Sequence, residues 1–475
     1  MSSLSAVADR ELGDFQTPLE LAQAVCACPE LSGRRFTRLL EPTCGLGHFL
    51  QAGLARPGIV EAIGIELQSA HARAARKALG ARAKIINGDV FSQDLSALHW
   101  RSDGPLLVLG NPPWVTSAEI GAAGGSNLPE KRNFKGQAGL EAMTGASNFD
   151  LAEAVLLRLL QLPGSPTLAL LCKLSSAQRV LDEIHRQGRG IRHASIRLID
   201  ASRWFDAAVS ACLLVLDLRP GAPLAELPVF PNLTSLKPSR QIRLGAQGPV
   251  ADAELYRAVS HLDGQFTGTW RQGVKHDAAA IMELRREEGV WKNGLAETVE
   301  IEEEHCPPLL KGIDLRHPER SAAPRALVLP QRHPGEDTAS LEERAPKLWS
   351  YLRRHSERLD RRRSTIYTKA PRFAVFGVGP YTFSSWKIMV CGLDRAAHFS
   401  LVGPRAGRPV LCDDTCYLLP VSDEDTGRRL LAALDSPPVR QLIAALMPPG
   451  AKRPVTKRLL QRLDLAALDG AKTIP

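Results

Sequence analysis

No apolar run in this sequence approaches the ~18 residues that a membrane-spanning helix needs, so no helical membrane anchor is expected. The opening stretch MSSLSAVADRELGDF lacks a basic start followed by an apolar block. A secretory signal is therefore not expected, and the chain is expected to stay in the cytoplasm. Internal repeats of solenoid or propeller period are also missing. Nine cysteines occur, and the nearest pairs are Cys26 with Cys28 and Cys412 with Cys416. Neither is joined by a second pair at zinc-site spacing, so buried reduced thiols and no metal centre are expected. No strand-based metal constellation of a nuclease stands out either.

What is there indicates an ordinary globular chain of more than one core. At 475 residues two domains are the default. A hydrophobic share of 44% and a charged share of 23% fit that class. The formal charge of +9 permits an anionic partner such as nucleic acid without demanding one. Residues 1–220 alternate short apolar runs with helical patterns, the signature of a parallel sheet wrapped by helices. Strands are expected at 35–42, 59–67, 83–91, 105–110 and 166–174, with helices after the first two and at 150–162. ASIRLIDASRWF (194–205) and VSACLLVLDL (209–218) read as a closing pair of strands. Prolines then crowd 219–238, so 221–265 reads as linker and 266–475 as a second, mixed α+β domain.

LLEPTCGLGHFL (39–50) runs from a strand into a helix through a turn at Gly45 and Gly47, which lets backbone approach a ligand. Glu66 ends the second strand, where a carboxylate can accept hydrogen bonds from two ribose hydroxyls. Asp89 ends the third, beside Phe91, where it can bond an adenine amino group. Each acid alone reads more readily as a helix cap than as a ligand. At the carboxyl ends of successive strands they form one crevice for a nucleoside. A pyrophosphate would call for a fuller glycine fingerprint, and Glu41 would repel it. A sulfonium would be welcome there, which favours S-adenosylmethionine over NAD or ATP.

LLVLGNPPWV (106–115) places Asn111, Pro112, Pro113 and Trp114 at the tip of a buried strand. An exocyclic aromatic amine is a poor nucleophile, because its lone pair is delocalised into the ring. The Asn111 side-chain carbonyl and the Pro112 main-chain carbonyl can both accept from such an NH2 and aim its lone pair. Proline stiffens the turn, so these acceptors are preorganised. Trp114 offers a face for a planar base. The bland alternative is a proline turn capping a strand, with Trp114 filling core.

Asn-Pro-Pro-Trp, preceded in order by EPTCGLGHF, GIEL and NGDVF, resembles the motif series of gamma-type N6-adenine DNA methyltransferases of type II restriction–modification systems, such as the Taq enzyme. FQTPLELAQAV (15–25) is similar to their N-terminal motif, and segments at 270–284, 307–315 and 361–387 are similar to their C-terminal halves. The resemblance implies a class I S-adenosylmethionine-dependent methyltransferase domain of Rossmann-like α/β fold, followed by a target-recognition domain. It implies cofactor contacts from Thr17, Glu41, Thr43, Gly45, Gly47, Glu66, Leu67, Asp89, Val90 and Asn111. It also implies stacking of a flipped adenine on Phe205, with Trp204 as the neighbouring candidate. Double-stranded DNA is the implied partner, with any restriction endonuclease encoded separately, in the nucleoid of a bacterial cytoplasm. Glutamine in a release factor, a ribosomal RNA base and cytosine N4 pose the same chemical problem and stay open.

DNA contacts are expected from two basic segments. The polar, glycine-rich stretch 126–150 carries Lys131, Arg132 and Lys135. KLWSYLRRHSERLDRRRS (347–364) reads as one helix, with Leu348, Leu352 and Leu359 on one face and Arg354, Arg358, Arg361 and Arg362 on another.

Overall fold

A computed structural model describes residues 16–115, 150–316, 324–362 and 364–468. The chain divides into two compact units, Met1–Ala253 and Glu254–Pro475. The first is built on a nine-stranded sheet. Its strands are β1 (Arg38–Glu41), β2 (Glu61–Glu66), β3 (Lys84–Asn87), β4 (Leu106–Gly110), β5 (Thr167–Lys173), β6 (His193–Ile199), β7 (Ala211–Asp217), β8 (Glu226–Phe230) and β9 (Arg240–Arg243). The helices are α1 (Leu19–Cys26), α2 (His48–Leu54), α3 (Ser69–Leu79), α4 (Leu151–Leu159), α5 (Leu174–Arg186) and α6 (Ala201–Phe205).

The sheet runs β3-β2-β1-β4-β5-β7-β6-β8-β9. Strands β3 through β5 are mutually parallel, and β7 is antiparallel to both β5 and β6. β4, β5 and β7 are apolar runs buried on both sides, which is why they read as continuous hydrophobic segments rather than alternating ones. The order reverses between β1 and β4. In an open α/β sheet the crevice at such a switch point, beyond the carboxyl ends of the strands, is where a ligand binds.

In the first unit two expectations differ from the structure. The stretch 194–205 is half strand: Asp200 accepts from the Ser202 and Arg203 amides and starts α6, so Phe205 lies on a helix. Residues 221–265, expected as linker, carry β8 and β9 instead. β8 pairs with β6 in parallel and with β9 antiparallel. The reason is apolar: Leu227, Val229 and Ile242 are buried in the core of the first unit. A buried cation fastens the extension. Arg197 on β6 is 1% exposed, pairs with Glu30 at 2.5 Å and donates to the carbonyls of Asn232, Leu233 and Ser235.

The second unit is mixed α+β. A four-stranded antiparallel sheet joins Arg271–Gln272, Cys416–Val421, Trp386–Cys391 and Phe399–Val402, and a three-stranded one joins Val290–Lys292, Glu283–Glu287 and Arg325–Leu327. The basic helix expected over 347–364 is two helices, Pro346–Arg354 and Ser356–Asp360, meeting at His355. Leu348, Leu352 and Leu359 are buried, and Arg354, Arg358 and Arg361 are exposed. Arg361 pairs with Glu357. Arg362 turns inward, donating to the Ala374 carbonyl at 2.7 Å with its guanidinium 3.8 Å from the Tyr367 ring centre. Among the described residues no helix is long and apolar enough to cross a membrane.

Candidate active site

A cavity of about 510 Å³ opens at the switch point of the first unit. Its floor is the turn from β1 into α2. Gly45 stands at φ +50° and Gly47 at φ +85°, left-handed conformations that favour glycine. A β-carbon on Gly45 would come within 2.5 Å of the Gln16 amide oxygen, so the closeness of this turn to its neighbours is itself part of the site. Gly47 caps α2 and does not line the cavity.

Acids expected at the strand ends reach the cavity, as do Gly45, Thr17, Thr43, Leu67 and Val90. Glu66 accepts from the Gly45 amide on Oε2 and from the Gln68 amide on Oε1, both at 2.7 Å. The carboxylate thus holds the glycine turn to the end of β2 and keeps a second acceptor position on each oxygen. Asp89 is fixed by the Phe91 amide at 2.9 Å. Glu41 is 3% exposed and accepts from the Leu50 amide in the first turn of α2 at 3.1 Å. Burial pushes its carboxyl well above the usual range, against the Leu50 hydrogen bond, and the Glu66 charge pushes the same way. A cation in the cavity would reverse that push and favour the carboxylate.

Asn111 and Pro113 line the same cavity as Gly45, Glu66 and Asp89. The far side is apolar, formed by Val115 and by Leu151 and Val155 of α4. Trp114 and Phe205 do not line it. Trp114 is 5% and Phe205 7% exposed, and their rings meet edge to face at 5.1 Å and 72°. The two rings expected to hold a base therefore touch each other. Trp204 is half-buried, with the Arg203 guanidinium 4.9 Å from its ring centre. Lys131, Arg132 and Lys135 lie outside the described residues.

Several residues of the site were not anticipated. Gln16 accepts from the Leu46 amide at 3.1 Å, and His48 donates through Nδ1 to the Thr17 carbonyl at 2.6 Å, so both tie the N-terminal segment to the glycine turn. Polar residues beside Thr17 and beside a glycine turn were the available signal.

S-adenosylmethionine is a fair test of this cavity. The Thr43 hydroxyl, on the cavity wall, is buried and has no hydrogen-bond partner among the described residues. An orphaned polar atom of this kind suits a polar ligand. The donor set is acidic, with apolar Leu67, Val90 and Phe91 close by. That combination fits a cationic nucleoside and opposes a polyphosphate.

The fold and this cavity define an α/β protein with a nucleoside-type crevice at the switch point of its sheet. The chain belongs to the type II methyltransferases: it is 36% identical over 469 residues to the Type II methyltransferase M.NspV of Nostoc sp., a match covering 96% of this chain and 97% of that protein. No family model matches. Among solved structures, the Type IIL restriction-modification enzyme MmeI in complex with DNA is similar over 90% of this chain, at 15% identity and a TM-score of 0.49. This chain spans 63% of that enzyme. The 23S rRNA methyltransferase ErmE is similar over 44% of this chain and 71% of its own, at 14% identity and a TM-score of 0.29.

Proposed function

We propose that this chain transfers a methyl group from S-adenosylmethionine to the N6 amino group of an adenine flipped out of double-stranded DNA, as the modification component of a restriction–modification system. One observation carries the reading: Asn111 shares a single cavity with Gly45, Glu66 and Asp89. When bound, the sulfonium supplies the methyl group. Glu66 serves the ribose, Asp89 the adenine amino group of the cofactor, and Thr17 and Glu41 its amino-acid end. Asn111 and the Pro112 carbonyl accept from the target amine and orient its lone pair along the line of displacement. After transfer the target amine would give its proton to solvent, so Asn111 and Pro112 would act as acceptors that orient it and not as bases.

Extracting a base from the duplex costs roughly a few kcal/mol in pairing and stacking. Stacking of that base on Trp114 requires the Phe205 ring to turn aside. In this reading the second unit recognises the target, with Arg354, Arg358 and Arg361 at phosphates, and the nuclease of the system is a separate chain in the same cytoplasm.

Expression in a host without adenine methylation, followed by sequencing of its DNA for modified bases, tests the proposal. N6-methyladenine at one recurrent sequence is expected, and Asn111→Ala should abolish it while DNA still binds. Unmodified DNA, or N4-methylcytosine in its place, would overturn the adenine assignment.

A further inference from the structure

The turn that carries Asn111 has an anchoring problem. Pro112 and Pro113 have no N–H, so two consecutive residues cannot tie the turn down by their own donors. The β4–β5 register sets Gly110 beside Leu170, and Lys173 therefore runs alongside the turn three residues further on. Its ammonium donates to the Trp114 carbonyl at 2.5 Å. The same ammonium pairs with Asp150 at 2.8 Å. Asp150 is 2% exposed, and its other oxygen caps α4 by accepting from the Ala152 amide at 3.0 Å. One residue further along, the Leu151 amide donates to the Val115 carbonyl at 2.9 Å.

We propose that Lys173 and Asp150 are a positioning pair that locks the Asn111–Trp114 turn to the helix lining the same cavity, so that methyl transfer depends on two residues that touch no reacting atom. The turn supplies Asn111, and α4 supplies Leu151 and Val155. A single charged nitrogen fixes one against the other. The acceptors of the turn must not drift when the amine arrives, and a displacement of even ~1 Å is costly to a reaction that relies on alignment. Asp150 is buried while Lys173 is partly exposed, so loss of Lys173 leaves the carboxylate inside without its compensating charge.

The activity arm of the test rests on the methyltransferase reading, and the exchange arm does not. Lys173→Met should lower kcat for methyl transfer to DNA roughly 10- to 100-fold, as loss of a charged hydrogen bond implies. Affinity for S-adenosylhomocysteine, measured by calorimetry, should change less than about 3-fold, a split that general misfolding does not produce. Lys173→Arg should restore most of the rate. Asp150→Asn keeps the oxygen that caps α4 but removes the pairing, and it should match Lys173→Met. By hydrogen exchange and mass spectrometry, the amides of Asn111, Trp114 and Val115 should exchange faster in Lys173→Met while the rest of the chain stays protected. Unchanged exchange at those amides overturns the pair whether or not any DNA is methylated. So does a wild-type kcat in Lys173→Met, or an equal fall of kcat and cofactor affinity that Lys173→Arg does not repair. A wild-type chain that methylates no DNA overturns the functional reading alone.

Discussion

Glu66→Gln is the most discriminating substitution in the crevice, because in the proposed reading one carboxylate both holds the glycine turn and receives the ribose. One acceptor position on each oxygen is taken by a backbone amide, Gly45 on Oε2 and Gln68 on Oε1. The remaining position on each is free for a ribose hydroxyl. In the glutamine variant one oxygen becomes an NH2 that must face one of those N–H donors. A charge-assisted hydrogen bond worth about 1.5–3 kcal/mol is lost, and the glycine turn loosens on that side. The expected result is a fall of roughly 10- to 100-fold in cofactor affinity. Glu66→Ala removes both ends and should cost about twice that free energy. Calorimetric titration with S-adenosylhomocysteine reads both variants. Affinity within about 2-fold of wild type for Glu66→Gln would refute the reasoning, since no arrangement of the amide satisfies both loop N–H groups.

Phe205→Ala removes the ring packed against Trp114 and should lower the unfolding free energy by about 3–5 kcal/mol in urea titrations; a loss under ~1 kcal/mol would mean the site collapses without cost. In the second unit, burial alone would raise the Glu283 carboxyl, but the bonds from His276 and Lys311 outweigh it and bring it from 4.5 down to about 2. A carboxylate depressed on folding stabilises above its unfolded value, so this contribution should be intact above about pH 5 and vanish as pH falls towards 2. Glu283→Gln should flatten that part of the stability profile, and an unaltered profile would place the acid sensitivity elsewhere.

The parts of the site that were legible in the sequence are local ones. A strand running into Gly45 and Gly47, an acid closing β2 and another just past β3, and the prolines after Gly110 each announce themselves within a few residues. Their meeting in one cavity follows from parallel strands sharing one carboxyl edge. Lys173 and Asp150 were invisible, because an isolated lysine ending an apolar run and an aspartate before a helix look like ordinary punctuation. Trp114 and Phe205 were legible as aromatics but not as partners, since their contact depends on where α6 begins. The sheet extension was hidden by proline: Pro228 separates Leu227 from Val229 and disguises a buried alternation as linker composition. Arg197 also gives no sign in ASIRLID that it is inside, because its acid, Glu30, lies far away in the chain.

That guanidinium limits how the molecule can be divided. Three of the carbonyls it serves, at 232, 233 and 235, belong to the connection between β8 and β9. A fragment cut at Pro220 would leave Arg197 with Glu30 but without those three carbonyls, and the rim of β6 without its partner strand. The smallest self-sufficient piece bearing Asn111 therefore has to retain the hairpin, and any exchange of the second unit would have to be made downstream of it.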